Sequence, residues 1–344
     1  MAGAGRMTPA PLRLASRDLM VGVLPAKGSD IVEIIDQRTG VDLMFRTPWA
    51  AWDTPSTAVW DSRSRWLSTY RGGWQVLCPN AGPERAVNGA LWGFHGEASV
   101  VPWRIVHAAE TEAVLQTCLH TAPVSLRRHL SVDGAVLSVL EEVTNLSDRE
   151  REVMWVHHPA FGAPLVAEGA RLYTGARTLV ADADAPGTVL TPDSVHTWPF
   201  VSGADGRTLD LSVLPGPTSH REIFGCLTDF ERPYLAVVNQ ELDLAVTVSW
   251  DAKVFPHAWL WQEFCATEDY PWFRRAYALA VEPASTMPGT GTVAGLRRGE
   301  PLRLAPHETR SAHLTMTVSS AEGAVSQFRQ RGSAAAGEIS VSNQ

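Results

Sequence analysis

Three separated segments set titratable side chains among glycine, proline and tryptophan. The first, Tyr70 to Trp103, contains RGGWQVLCPNAGP and LWGFHGEASVVPW, and with them Arg71, Trp74 and His95. The second, Val143 to Leu165, reads VTNLSDREREVMWVHHPAFGAPL and carries His157-His158. The third, Phe255 to Pro288, reads FPHAWLWQEFCATEDYPWFRRAYALAVEPASTMP and carries Trp259, Trp261 and Glu282. Imidazole and carboxylate, with unperturbed pKa values of about 6.5 and about 4.3, are the usual side chains for moving protons near neutral pH. Indole adds a flat apolar face able to stack on a ligand, together with one N–H that needs a partner. Other chemistries lack their signatures: there is no Walker-type loop, no dinucleotide glycine pattern and no Gly-x-Ser-x-Gly elbow. His157 and His158 form the densest histidine cluster, but neighbours on a strand face opposite ways, so they cannot share one site. No metal and no cofactor are therefore expected.

These segments have to be positioned by strands. Helical periodicity is hard to find, whereas short alternating or β-branched runs bounded by turn residues recur throughout, which predicts an all-β chain. From Ala113 to Phe161 the runs AVLQTCLHT, VSLRRHLSV, AVLSVLEEVTNLS and REVMWVHH are separated by Ala122-Pro123, Asp133-Gly134 and Ser147-Asp148. Four consecutive antiparallel strands follow, with Asp-Gly as a strong hairpin signal. Two more hairpins are expected at Tyr234–Trp250 and Leu302–Ser319. The Pro- and Gly-rich stretch between Ala163 and Gly225 reads as long loops over a sheet. No internal repeat is found. The expected organisation is a mobile tail over residues 1–12, one large β-sandwich domain over 13–320, and a low-complexity tail over 321–344.

Composition narrows the partners. The chain has 344 residues and a formal charge of −8, which argues against nucleic acid, since phosphate neutralisation needs a basic face. No apolar stretch is long enough to span a bilayer, and the first twenty residues lack a signal-peptide core, so a soluble cytoplasmic protein is expected. Four scattered cysteines form no Cys-x-x-Cys pair and read as buried free thiols. Tryptophan is abundant, at 13 against 5 Tyr and 10 Phe, and Lys27 and Lys253 are the only lysines among 29 basic residues.

In order and spacing, the three segments resemble the aldose 1-epimerase (galactose mutarotase-like) family. Its pattern is an Arg/Gly-Gly segment leading to Pro-Asn-x-Gly, then His-Gly followed by Pro-Trp. A Thr-Asn turn into a strand ending His-Pro-x-Phe comes next, and a Trp-containing strand followed by Glu-Pro closes it. The match covers Arg71 to Pro283. The resemblance implies a β-supersandwich with a sugar cleft, and interconversion of sugar anomers by acid–base ring opening without cofactor. It implies Glu282 as general base, His158 as general acid, His95 as a hydrogen-bonding partner of the ring oxygen or neighbouring hydroxyls, and Arg71 as a sugar-binding side chain. Trp74 and Trp261 are expected as stacking platforms, while most other tryptophans belong to the core. Taken singly, each residue also has a plain structural reading: a strand-end carboxylate, a core imidazole, a turn residue, or an arginine paired with Glu84.

Three departures from the family pattern stand out. Ala160 and Gly162 occupy positions where mutarotases carry Tyr and Asn, and Glu97-Ala98-Ser99 replaces an aromatic and Arg after His-Gly. The family's substrate-binding Asp has only regional candidates in Asp229 and Asp243, or else His220-Arg221-Glu222 holds that place. The sugar is thus open, and Arg63, Arg65 and Arg71 could contact a modified or phosphorylated one. A non-catalytic sugar-binding or sensing protein on the same fold is the alternative.

Overall fold

Alternation along the strands sorts the side chains into two apolar layers, and the computed structural model, which describes residues 11–48 and 61–326, shows where each goes. Of the tails expected over 1–12 and 321–344, residues 1–10 and 327–344 lie outside the described residues. Leu12–Ala15 is already a strand, with Leu12 opposite Val23. At the other end, residues 321–326 are helical rather than tail, and Ala321 and Ala324 are buried against Val238 and Ala245.

Seventeen strands join in one antiparallel hydrogen-bonded network. One layer runs through Glu112–Cys118, Val124–Asp133, Val136–Asn145, Thr309–Ser319 and Leu244–Trp250. The other runs through His257–Phe264, Tyr277–Ala284, Val156–Gly162, Gly73–Leu77, Asp30–Asp36 and Leu19–Leu24. Arg221–Asn239 belongs to both: its first half pairs with His257–Phe264 and its second with Leu244–Trp250. Its partner Arg171–Ala181 follows the bend through a register shift between Thr174 and Ala176, as a bulged strand does.

The main core lies between the layers and takes Trp74, Val76, Phe161, Leu260, Phe264, Leu279 and Val281 from the second one. The alternate positions of those strands, Leu77, Val156, Ala160, Ala278, Ala280, Ala284 and Trp259, form a separate cluster on that layer's outer face. Because the period is two, the sequence puts each of these strands' polar and aromatic residues on a definite side.

Several expectations are corrected. The Asp133-Gly134 and Tyr234–Trp250 hairpins form, with Asp133 opposite Val136 and Asn239 opposite Leu244. The fourth strand of the Ala113–Phe161 run does not join the first three: Val136–Asn145 takes Thr309–Ser319 as its other neighbour, and Val156–Gly162 pairs with Gly73–Leu77 and Tyr277–Ala284. The Leu302–Ser319 hairpin is absent, because Leu302–Leu304 pairs instead with Arg151–Val153. The stretch read as loops contains the eleven-residue strand Arg171–Ala181. Of the cysteines, Cys78 and Cys226 are buried, whereas Cys118 is exposed.

Candidate active site

The outer face of the second layer carries a row of side chains crossing four strands. His158 stands opposite Gln75. The flanking pairs Val156↔Ala284 and Ala160↔Ala280 place it opposite Glu282 on the other side, and Glu282 in turn faces Trp259. His158 Nε2 lies 3.5 Å from Glu282 Oε1. The neighbouring row is small up to its tryptophan: Gly73, Ala160 and Ala280, then Trp261. These small residues form a floor, and the apolar cluster built on it takes in Phe45, Trp261 and Trp272.

Aromatic rings wall this floor. The helix Ser62–Thr69 starts at Asp61, whose carboxylate accepts the Ser64 N–H at 2.7 Å, an ordinary N-cap. Trp66 and Tyr70, one turn apart, stack at 4.7 Å, and Tyr70 meets His158 edge-on at 5.8 Å. Trp261 and His95 approach His158 at 6.3 and 6.0 Å. Phe45 and Trp272 lie against Trp261. His95 has a left-handed backbone, φ 58°, and its Nδ1 accepts the Gly82 N–H, which leaves the proton on Nε2 as a donor.

Close backbone approach explains the Gly-Gly signature and one departure. A Cβ on Gly72 would lie 1.9 Å from Phe45 O, and one on Gly162 would lie 2.7 Å from Phe45 Cα. The Phe45 segment runs directly across both, so neither Asn nor any other side chain fits at 162. Glu97 and Ser99 are tethers: Glu97 accepts the backbone N–H groups of His120 and Thr121, and Ser99 Oγ accepts the Trp66 indole N–H at 2.9 Å.

The structure thus brings together His158, Glu282, His95 and Trp261. Trp74 is corrected: it sits on the core face, 1% exposed, and its indole donates to His157 Nδ1 at 3.2 Å. Strand alternation decides this, since Gly73, Gln75 and Leu77 take the outer positions. Arg71 is buried and donates to the Ser68 and Tyr70 carbonyls, holding the end of the helix; Glu84 accepts instead from Ser62. Arg63 and Arg65 are exposed. None of the regional candidates for the missing Asp is in the row: Asp229 is exposed and accepts from Thr178, and Asp243 pairs with Arg38. Arg221 donates to Gln262 and Val213. From that strand Phe224 and Cys226 join the outer cluster instead. Sequence reasoning missed Trp66, Tyr70, Phe45, Trp272 and Gln75. The one signal available was the i, i+4 spacing of Trp66 and Tyr70.

Burial sets the electrostatics. It holds the Glu282 carboxyl well above the usual carboxylate range and lowers His158 to about 4, with the Lys27 charge adding a smaller push. Burial, and then the neighbouring His158, push His95 well below its ordinary value. Both shifts run against the expected ionised carboxylate and protonated imidazole and favour an uncharged pair with one proton to share. Glu282 Oε2, His158 Nδ1 and the Tyr70 hydroxyl are all buried without a hydrogen-bond partner. Among the described residues, no group of three or more His, Cys, Asp or Glu side chains is arranged to hold a metal ion, and no helix is long and apolar enough to cross a membrane.

A sandwich of this topology is a galactose mutarotase-like fold, and solved structures agree. The chain is similar to a galactose mutarotase related enzyme from Lactobacillus acidophilus, at 15% identity and TM-score 0.65, over 90% of this chain and 98% of that one. It is similar to the Slr1438 protein from Synechocystis sp. PCC 6803, at 20% identity and TM-score 0.65, over 91% and 96%. It is also similar to a GalM/aldose epimerase homologue from C. elegans, at 12% identity and TM-score 0.59, over 90% and 98%. No curated protein matches the sequence. Residues 11–199 and 223–318 match the family described as Domain of unknown function (DUF4432), and the chain belongs to that family.

Proposed function

We propose that this protein interconverts the anomers of an aldose by general acid–base ring opening at His158 and Glu282. The observation that carries the reading is the 3.5 Å His158–Glu282 contact, made by two buried groups whose remaining polar atoms, His158 Nδ1 and Glu282 Oε2, have no partner. Native proteins seldom leave such atoms unpaired, because desolvation costs about 1–3 kcal/mol each.

Anomerisation removes the proton of the C1 hydroxyl and adds one to the ring oxygen. The C1–O5 bond breaks to give an aldehyde, C1 rotates about C1–C2, and reclosure reverses the transfers. The reaction neither gains nor loses a proton, so a pair holding one proton is complete: the member that has it is the acid and the other the base. Sugar hydroxyls that donate to Glu282 favour its carboxylate and shift the proton to His158, which yields the roles the resemblance implies. His95 Nε2–H then donates to the ring oxygen or an adjacent hydroxyl, and Trp261 offers its face to the C–H side of the ring.

The test is proton NMR or polarimetry on freshly dissolved pure anomers across a sugar panel. Acceleration lost in Glu282→Gln is the expected result; a panel equilibrating at buffer rates would sink the catalytic reading. Sugar binding that survives in Glu282→Gln and His158→Ala, with no turnover by the parent, would instead establish the binding or sensing alternative.

A further inference from the structure

The unpartnered polar atoms at the cleft extend beyond the acid–base pair. Gln75, across the strand from His158, is fully buried. Its amide N–H groups donate to Gly72 O at 2.7 Å and Asp30 Oδ2 at 3.2 Å. Both donors are engaged, which fixes the amide's orientation and leaves Oε1 buried without a partner. Asp30, 1% exposed, is held by Lys27 at 2.5 Å. Lys27, one of only two lysines in the chain, also lies over the Trp66 ring at 5.7 Å. Tyr70, 1% exposed and fixed by its stack on Trp66, presents a hydroxyl with no partner, close enough to feel the charges of both Glu282 and Asp30.

We propose that the Tyr70 hydroxyl and Gln75 Oε1 form a substrate-binding subsite for a single sugar hydroxyl beside the reacting end, with Asp30 as the positioning residue that locks the Gln75 amide. A hydroxyl both donates and accepts, so one such group can donate to Gln75 Oε1 and accept from Tyr70. A dianionic phosphate or a carboxylate offers no donor to Gln75 Oε1. This side of the cleft therefore selects an unmodified hydroxyl. It also supplies from Gly73–Leu77 and the helix end the polar contacts that Phe224 and Cys226 do not offer across the cleft. The inference rests on the anomerase reading given above.

The experiment uses the full-length protein and a sugar that the parent turns over. Tyr70→Phe removes one neutral hydrogen bond, so KM rises roughly five-fold with kcat within about two-fold. Because that hydroxyl is unpartnered without ligand, the melting temperature of Tyr70→Phe stays the same or rises, which separates loss of a contact from loss of fold. Asp30→Ala, which removes the acceptor and frees the Gln75 amide to rotate, raises KM in the same direction. In a series of monodeoxy analogues, one analogue loses distinctly less on Tyr70→Phe than on the parent, because only its contact with Gln75 is left to lose. An unchanged KM in Tyr70→Phe, or losses that simply multiply for every analogue, overturns the subsite while leaving the anomerase reading intact. A parent that neither binds nor turns over any sugar overturns both.

Discussion

The two faces of the strand Val156–Gly162 use the same pair of residue types in opposite ways. On the core side, His157 lies 3.6 Å from Glu141, and Glu141 accepts from Arg128 Nε at 2.6 Å and the Trp155 indole at 2.8 Å. Arg128 also donates to Ser29 O and sits 5.2 Å from the Trp103 ring. On the cleft side, His158 lies 3.5 Å from Glu282, and no cation or indole N–H serves that carboxylate. Both imidazoles are lowered to about 4 by burial. The inner carboxylate is thus held by partners from within the fold and tied into the sandwich. The outer one keeps an oxygen that nothing in the fold partners. His157 Nε2 is itself unpartnered, so it is the carboxylate, and not the imidazole, that distinguishes the two pairs.

Glu282→Gln should show the largest effect. It deletes a proton carrier, so turnover should fall about 10²–10⁴-fold, whereas thermal stability should barely move, because burial already disfavours the charged carboxylate and amide and acid have the same shape. Kinetics by NMR together with a melting curve check both halves. Arg128→Leu should do the reverse. It leaves Glu141 without its cation deep in the core and should destabilise by about 3–5 kcal/mol in a urea titration. A cleft variant that melted early, or a core variant that folded normally, would erase the distinction between the faces.

Much of this was legible beforehand, for identifiable reasons. Alternation and Asp-Gly turns disclosed the strands, and the ordered His-Pro-x-Phe and Glu-Pro elements pointed to His158 and Glu282, whose register brings them face to face. Partnerships between distant strands were not legible, since nothing local tells Val156–Gly162 to choose Tyr277–Ala284 over Val136–Asn145. Trp74 was placed in the cleft because its face depends on Gly73 and Gln75, whose outward positions follow from the backbone of Phe45 and Ile31 crossing Gly72 and Gly73. Tyr70 and Trp66 escaped notice because one short helix carries them, and an eight-residue helix gives little periodicity. Of the tryptophans, Trp49, Trp52 and Trp60 lie outside the described residues. Trp92, Trp103, Trp155 and Trp250 are core, as expected for most of them.

Acidification sharpens the comparison in a single titration. Both histidines have folded pKa values below their unfolded value, so between about pH 6.5 and about pH 4 the unfolded chain binds protons that the folded chain refuses, and stability falls as pH falls. His157→Gln and His158→Gln should each flatten that slope by a similar amount when urea midpoints are compared at pH 7 and 5. Turnover should separate them. The parent rate should hold down to about pH 5 and decline near 4, where His158 takes a second proton into the pair and leaves no base. His157→Gln should keep that profile, and His158→Gln should have no rate to titrate.

The smallest contrast lies between two tryptophans of the first and third segments. Trp74→Phe keeps a ring in the core but removes the N–H that His157 Nδ1 accepts, leaving a buried acceptor unpaired, so it should cost about 1–3 kcal/mol of stability with KM unchanged. Trp261→Phe keeps a ring in the cleft, where Phe45 and Trp272 still flank it, so stability should shift by less than about 1 kcal/mol. A smaller stacking face should raise KM by roughly two- to five-fold, taking aromatic contacts at about 0.5–1.5 kcal/mol. Melting curves and Michaelis profiles on the same two variants decide it: a KM change in Trp74→Phe, or none in Trp261→Phe, would mean that the sugar does not lie on the outer face of this layer.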